Sequence, residues 1–214
     1  MLDKITDRYL PVISYFCEQH PDFILVGGTA LALQKSRRIS VDFDLFTMSE
    51  FEPEVLRRDL AAAHREITAG FDKIPALLLI GEQDDQLHFA VGKEGLKITL
   101  LKFPYKIESE KKYRHIPLAT LESIFAMKLI AIRRRVDYKD YYDIATLLEK
   151  FDLRQARRFF NKLTAPEKID FKIILKQLAS VRLLDAGVEK SLRGAKLTRK
   201  QVVTRIENAI KAIV

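Results

Sequence analysis

The segment Val41-Asp42-Phe43-Asp44-Leu45 sets apolar residues and carboxylates in strict alternation. An extended strand, whose side chains change face at every residue, sorts such a pattern into one apolar and one acidic face. Two aspartates on one strand face repel each other, and Asp is a poor strand former. The arrangement therefore calls for a compensating charge. A divalent cation supplies it: Mg²⁺ takes oxygen ligands, often only one or two protein carboxylates, and completes its shell with water and substrate phosphates. The alternative left open by these residues alone is an edge strand whose acids are simply solvated.

Upstream, Phe23-Ile24-Leu25-Val26 reads as a short buried strand and Ala30-Leu31-Ala32-Leu33-Gln34 as the helix after it, with Gly27-Gly28-Thr29 between them. A helix N-terminus offers backbone N–H groups and the positive end of its dipole to an anion. Gly27 and Gly28 let the backbone come close to a phosphate, and the Thr29 hydroxyl either adds a hydrogen bond or caps the helix. Alone, this turn is equally consistent with a plain chain reversal. The acid pair in the same strand–helix–strand unit is what favours an anion and cation site.

Further along, the periodicity predicts a helix over 3–19 with Ile5, Leu10, Ile13, Phe16 and Cys17 inward, and a second over 53–66 opened by Pro53. Residues 76–80, 86–91 and 96–103 read as strands, the last two joined by the hairpin turn Gly92-Lys93-Glu94-Gly95. The first part is thus an α/β (α+β) mixed sheet flanked by helices. From Thr120 onward the pattern is helical, a bundle of four to six helices. Thr164-Ala165-Pro166-Glu167 and Thr198-Arg199-Lys200-Gln201 read as capping boxes, and Val202, Val203, Ile206, Ala209, Ile210 and Ile213 as one apolar helix face. The charged run Lys106 to His115 and Pro117 suggest a domain boundary, giving residues 1–110 as the core and 111–214 as a helical domain.

Charge is unevenly distributed. Residues 1–145 hold 21 Lys and Arg against 22 Asp and Glu, whereas residues 146–214 hold 16 against 7. A basic module beside a metal site suits a polyanionic acceptor such as RNA; a solvated helical surface is the bland alternative. The single cysteine, Cys17, excludes an internal disulfide framework and fits a reducing cytoplasm. No apolar run approaches the roughly 20 residues that cross a bilayer. His20, His64, His88 and His115 lack metal-ligand spacing, and neither a Gly-x-Ser-x-Gly elbow nor a Gly-x-x-x-x-Gly-Lys phosphate loop is present.

Gly-Gly-Thr followed by Arg38-x-Ser40-x-Asp42-x-Asp44 resembles the motif of polymerase-beta-type nucleotidyltransferases. The Arg-x-Ser lead resembles the AbiEii-type branch, toxins of bacterial toxin–antitoxin and phage-defence pairs. Ala126-Met127-Lys128-Leu129-Ile130-Ala131-Ile132-Arg133, then Lys139-Asp140-Tyr141-Tyr142-Asp143-Ile144, is similar to the family's Lys-bearing helix and the acidic segment after it. The resemblance covers about the first 150 residues. It implies a polymerase-beta-like fold, and a reaction in which a nucleoside monophosphate passes from NTP to an acceptor hydroxyl with release of pyrophosphate.

The resemblance also implies roles. Asp42 and Asp44 would bind Mg²⁺ or Mn²⁺. Gly27, Gly28, Thr29, Arg38, Ser40 and Lys128 would hold the nucleotide, and Asp143, with Asp140 less securely, would join the catalytic set. The acceptor implied is the 3′ end of tRNA or another RNA, and a cognate antitoxin is implied as partner. For Lys128 the residues alone suggest an exposed helical lysine, for Asp140 and Asp143 an ion-pair cluster, and for Tyr138, Tyr141 and Tyr142 either base stacking or packing between helices. One departure stands out: where the family carries a third carboxylate on a later strand, this chain has Thr99. Threonine is no general base near neutral pH. Either Asp143 substitutes, or one metal site is weak, or the chain is a nucleotide- or RNA-binding pseudoenzyme; a protein-modifying nucleotidyltransferase is the other alternative.

Overall fold

The computed structural model describes residues 2–35, 38–71, 75–92, 95–165, 167–184 and 192–213. The chain forms two compact units. One comprises Leu2–Leu33 and Ser40–Thr120; the other comprises Gln34–Ile39 and Leu121–Val214.

The first unit is built on a seven-stranded mixed sheet. Its strands are β1 (Ile24–Val26), β2 (Phe43–Thr47), β3 (Leu77–Gln83), β4 (Gln86–Val91), β5 (Leu96–Lys102), β6 (Ser109–Tyr113) and β7 (Ile116–Ala119), in the order β3-β4-β5-β2-β1-β7-β6. β2 runs antiparallel to β1 and parallel to β5, and β1 runs parallel to β7. Alternation works as the sequence predicts. Phe43, Leu45, Leu87, Phe89, Val91, Ile98 and Leu100 are buried, while Asp44, Phe46, His88 and Thr99 between them are half-buried.

Helices α1 (Lys4–Gln19) and α3 (Pro53–Thr68) pack on each other and on this sheet. Leu10, Ile13 and Phe16 of α1 are buried, as are Leu56, Leu60 and Ala63 of α3. Tyr9 Oη and His64 Nδ1 share a buried hydrogen bond between the two helices. Burial, with Arg65 adding to it, lowers the His64 pKa, so the ring serves as a neutral packing residue. Burial also pushes the Cys17 thiol up to about 12, which leaves it inert as a nucleophile.

The stretch between Lys106 and Pro117, read from sequence as a charged boundary, contains instead the β6–β7 hairpin, with Arg114 in its turn at φ +57°. β6 is the edge strand, and its Glu110, Lys111 and Lys112 are exposed. Charged residues are what protects an open sheet edge from pairing. The opposite edge, β3, carries Leu78, Leu79 and Ile80 exposed.

The second unit contains α4 (Leu121–Arg134), α5 (Tyr138–Leu147), α6 (Leu153–Leu163), α7 (Phe171–Ala179), a 3₁₀ turn (Ser180–Leu183) and α8 (Arg199–Lys211). Ile124, Phe125, Leu129 and Ile132 of α4 are fully buried and form its inward stripe. Thr198 and Gln201 make the expected reciprocal cap on α8, and Asp152 and Gln155 make a second one on α6. The box expected at Thr164 is absent. Thr164 ends α6 and donates its hydroxyl to Phe160 O at 2.9 Å, and the next helix starts from Asp170, whose side chain accepts from Lys172 N. Of the predicted apolar face of α8, only Val202 and Ile206 are fully buried. Among the described residues, no helix is long and apolar enough to cross a membrane.

Candidate active site

In the sheet unit, β1 ends directly at Gly27, where helix α2 (Gly27–Lys35) begins. Gly27 has φ +67°, the left-handed region that favours glycine. There is a second reason for glycine here. A Cβ built on Gly27 would lie 2.5 Å from Oδ2 of Asp44, so the carboxylate sits directly over the glycine backbone. Val26 and Asp44 are register partners across β1 and β2. The acid and the glycine turn therefore meet. Gly27→Ala should cost about 1–2 kcal/mol from its backbone conformation alone and push the Asp44 side chain aside. A lower thermal midpoint together with a disproportionate loss of turnover is the expected result.

Asp42 precedes β2 rather than lying within it. Its backbone carbonyl accepts a hydrogen bond from the Thr29 hydroxyl, which also bonds Ser40 Oγ at 2.9 Å. Thr29 is 1% exposed and Ser40 6%. Their hydroxyls brace the acidic segment against the first turn of α2, holding the aspartates in register with the glycines. Gly28 is the second residue of that helix.

Thr99, in β5, is the register partner of Asp44 across the parallel β2–β5 pair. The neighbour beyond it, His88 of β4, is in turn the register partner of Thr99, with Nδ1 3.3 Å from the Thr99 Oγ1. Asp44, Thr99 and His88 thus form one row across the sheet. Sequence spacing marks His88 only as a histidine without metal-ligand spacing, because strand register alone brings it into the row.

Among the described residues, no group of three or more His, Cys, Asp or Glu side chains converges as a metal site. The donor chemistry of Asp42 and Asp44 nonetheless fits a Mg²⁺-type ion, which needs only one or two protein carboxylates when substrate phosphates and water complete its shell.

In the helical unit a second group of expected residues converges. Arg38 grips Asp143 with two hydrogen bonds, Nε to Oδ1 at 2.7 Å and Nη2 to Oδ2 at 2.8 Å. The Lys128 Nζ reaches Asp140 Oδ1 at 2.7 Å and Asp143 Oδ2 at 2.8 Å. Arg135 closes the cluster on Asp140, with Nε 2.8 Å from Oδ2. Lys128 is buried, not the exposed helical lysine that its sequence context suggests, and both aspartates are almost wholly buried. Lys139 is not a member; it pairs with Asp137.

Burial by itself would raise the Asp143 carboxyl, but Lys128 and Arg38 together hold it below the ordinary carboxylate range. Burial would likewise raise Asp140, and Lys128 and Arg135 hold it down. Burial would lower Lys128, and the two aspartates more than reverse this, so its ammonium stays charged. Among the described residues, Lys128, Arg38 and Arg135 thus share the two carboxylates of Asp140 and Asp143.

The tyrosines around this cluster are packing residues. Tyr138, Tyr141 and Tyr142 are at most 4% exposed. The Tyr142 hydroxyl accepts from the backbone N–H groups of Lys196 and Leu197, and the Tyr141 hydroxyl donates to Gln177 O.

The chain resembles known proteins in both sequence and fold. The family model "Nucleotidyl transferase AbiEii toxin, Type IV TA system" matches residues 15–191. An uncharacterized protein of Aquifex aeolicus (strain VF5), aq_aa25, is 33% identical over 162 residues, covering 73% of this chain and 72% of that protein. Among solved structures, JHP933 from Helicobacter pylori superposes with a TM-score of 0.61 at 19% identity, over 100% of this chain and 93% of that one. A second H. pylori structure, provisionally described as a nucleotidyltransferase, gives 0.60 at 18% identity, over 99% and 95% of the two chains. At such identities the structures establish the fold alone. The family match spans most of the chain, and the protein belongs to the nucleotidyltransferase AbiEii toxin family of type IV toxin–antitoxin systems.

Proposed function

We propose that the protein transfers a nucleoside monophosphate from an NTP to the 3′ end of tRNA, and that a cognate antitoxin opposes it. The observation that carries this reading is the Asp44 carboxylate lying over the Gly27 backbone at the start of a helix. An acid pair beside a glycine-lined helix N-terminus is what a metal-bound triphosphate requires.

On this reading Asp42 and Asp44 hold Mg²⁺ or Mn²⁺, which when bound neutralises phosphate charge and makes the α-phosphorus more electrophilic. Gly27 and Gly28 offer backbone N–H groups to the phosphates, and Thr29 and Ser40 keep the acidic segment in register. In the helical unit, Lys128 is held as a permanent cation. Asp143, with Asp140, keeps that ammonium charged and fixed, and Arg38 locks Asp143 in turn. The 16 Lys and Arg of residues 146–214 supply the surface for a polyanionic acceptor.

A second reading, a pseudoenzyme that binds nucleotide or RNA, is favoured by Thr99 in the third carboxylate's place. One experiment separates the two. The purified protein is incubated with Mg²⁺ or Mn²⁺, each α-labelled NTP in turn, and total RNA. Label is expected at tRNA 3′ ends. Label running with protein would indicate a protein-modifying enzyme, and no transfer from any nucleotide would indicate the pseudoenzyme.

A further inference from the structure

We propose that His88 and Thr99 together replace the missing third carboxylate as the proton acceptor of the transfer, an inference that rests on the nucleotidyltransferase reading above. Three observations carry it. Thr99 occupies the sheet position beside Asp44, one strand over and in register. His88 stands in register on the far side of Thr99 with Nδ1 3.3 Å from its hydroxyl oxygen. The third is a break in the β3–β4 register between Leu79 and Gly81, which brings Gly81, without a side chain, opposite His88. Bulges of this kind re-aim side chains next to active sites. Gly81 packs beside the histidine ring, where a Cβ would come into ordinary van der Waals contact with it at 3.4 Å.

A threonine hydroxyl cannot hold an extra proton at neutral pH, but it can pass one along. Histidine is the side chain suited to receive it there. In the proposed step the acceptor O–H gives its proton to the Thr99 Oγ1 while Thr99's own proton moves to the His88 Nδ1. The acceptor oxygen bonds to the α-phosphorus. The bond from that phosphorus to the α–β bridging oxygen breaks, and its electron pair leaves on pyrophosphate. The imidazolium then returns its proton to water. The step requires Nδ1 to be the bare nitrogen and Nε2 to carry the ring proton. The 3.3 Å separation is long for such a bond, as catalytic hydrogen bonds often are before substrate binds.

Among the described residues, the charged neighbours in register on this sheet face are Lys97, two residues along β5, and Asp44 beyond Thr99. Glu82 of β3 is the partner of Leu87, on the opposite face, where it pairs with Arg57 at 3.2 Å. A hydrogen-bonded polar pair on a half-buried sheet face is the merely structural alternative, and the test is built to exclude it.

The full-length protein, His88→Gln and Thr99→Val are compared in the labelled-transfer assay across pH 5–9, with thermal midpoints measured alongside. His88→Gln is expected to lower kcat by roughly 10²–10⁴-fold, leave KM for the nucleotide unchanged, and abolish the acidic limb of the pH profile. Thr99→Val should do the same, and the double variant should be no worse than the poorer single one. Thr99→Asp in the His88→Gln background should recover transfer. ¹⁵N NMR of the wild type should show a bare Nδ1. A His88→Gln variant that keeps its midpoint, its rate within threefold and its acidic limb would overturn the relay. So would a proton on Nδ1. Wild-type protein that labels nothing with any nucleotide removes the reading on which the relay rests, a different failure from a wild type and a variant that label equally.

Discussion

Asp44→Asn should lower nucleotidyl transfer by on the order of 10³-fold while leaving the fold intact. The substitution keeps the shape of the side chain over Gly27 and removes only its charge, so the glycine contact survives. What is lost is an anionic oxygen ligand beside Asp42. A neutral amide oxygen binds a hard divalent cation far more weakly than a carboxylate does. The checks are label transfer at saturating Mg²⁺ and a melting curve in chelator. An Asp44→Asn protein retaining a tenth or more of wild-type transfer would exclude Asp44 as a metal ligand in the reaction.

The opposite signature is expected at Asp143, where stability should suffer first. Asp143→Ala leaves Arg38 and Lys128 with one buried carboxylate, Asp140, between them and Arg135. Breaking a buried ion pair from one side typically costs 3–5 kcal/mol, because the stranded charge cannot regain water. Urea unfolding at pH 7 should show a loss of about this size. The wild-type pH dependence follows from the same groups. Asp140 and Asp143 have lowered folded pKa values. Their contribution is therefore complete above the unfolded carboxylate value of about 4 and falls away as pH drops through the folded values. Lys128 has a raised folded pKa. Its contribution is complete below the unfolded value of about 10.4 and is lost only as pH rises through the folded one. The cluster's contribution should thus stay level between about pH 5 and 9, and Asp143→Ala should flatten the acid slope below about pH 4. An unchanged urea midpoint would mean that the cluster is not held as described.

The candidate residues of the sheet unit were legible because their information is local. Strand alternation around Asp42 and Asp44, and the glycines between β1 and α2, are patterns of a few adjacent residues, and β2 and α2 formed within a few residues of the expected bounds. What stayed hidden depends on distance in the chain. Lys128 reads as a surface residue until Arg38 and Asp143, 105 residues apart, are brought together around it. The hairpin β6–β7 was obscured because a Lys-rich edge strand looks like a linker, and because Pro117 sits inside β7. Thr164 shows the limit of motif reading. Its hydroxyl satisfies a carbonyl at the end of one helix and caps no helix after it. His88 carried no sequence signal at all beyond its place in an alternating strand.

The six-residue excursion Gln34–Ile39 has a consequence for how this molecule can be divided. These residues lie within the N-terminal third of the chain yet belong to the helical unit, to which Arg38 brings its guanidinium and Ile39 its bond to the Arg193 carbonyl. A C-terminal fragment beginning at Leu121 would therefore contain every helix from α4 onward and still lack its own keystone cation. Although the halves are compact, neither is a module that can be cut out at a single peptide bond.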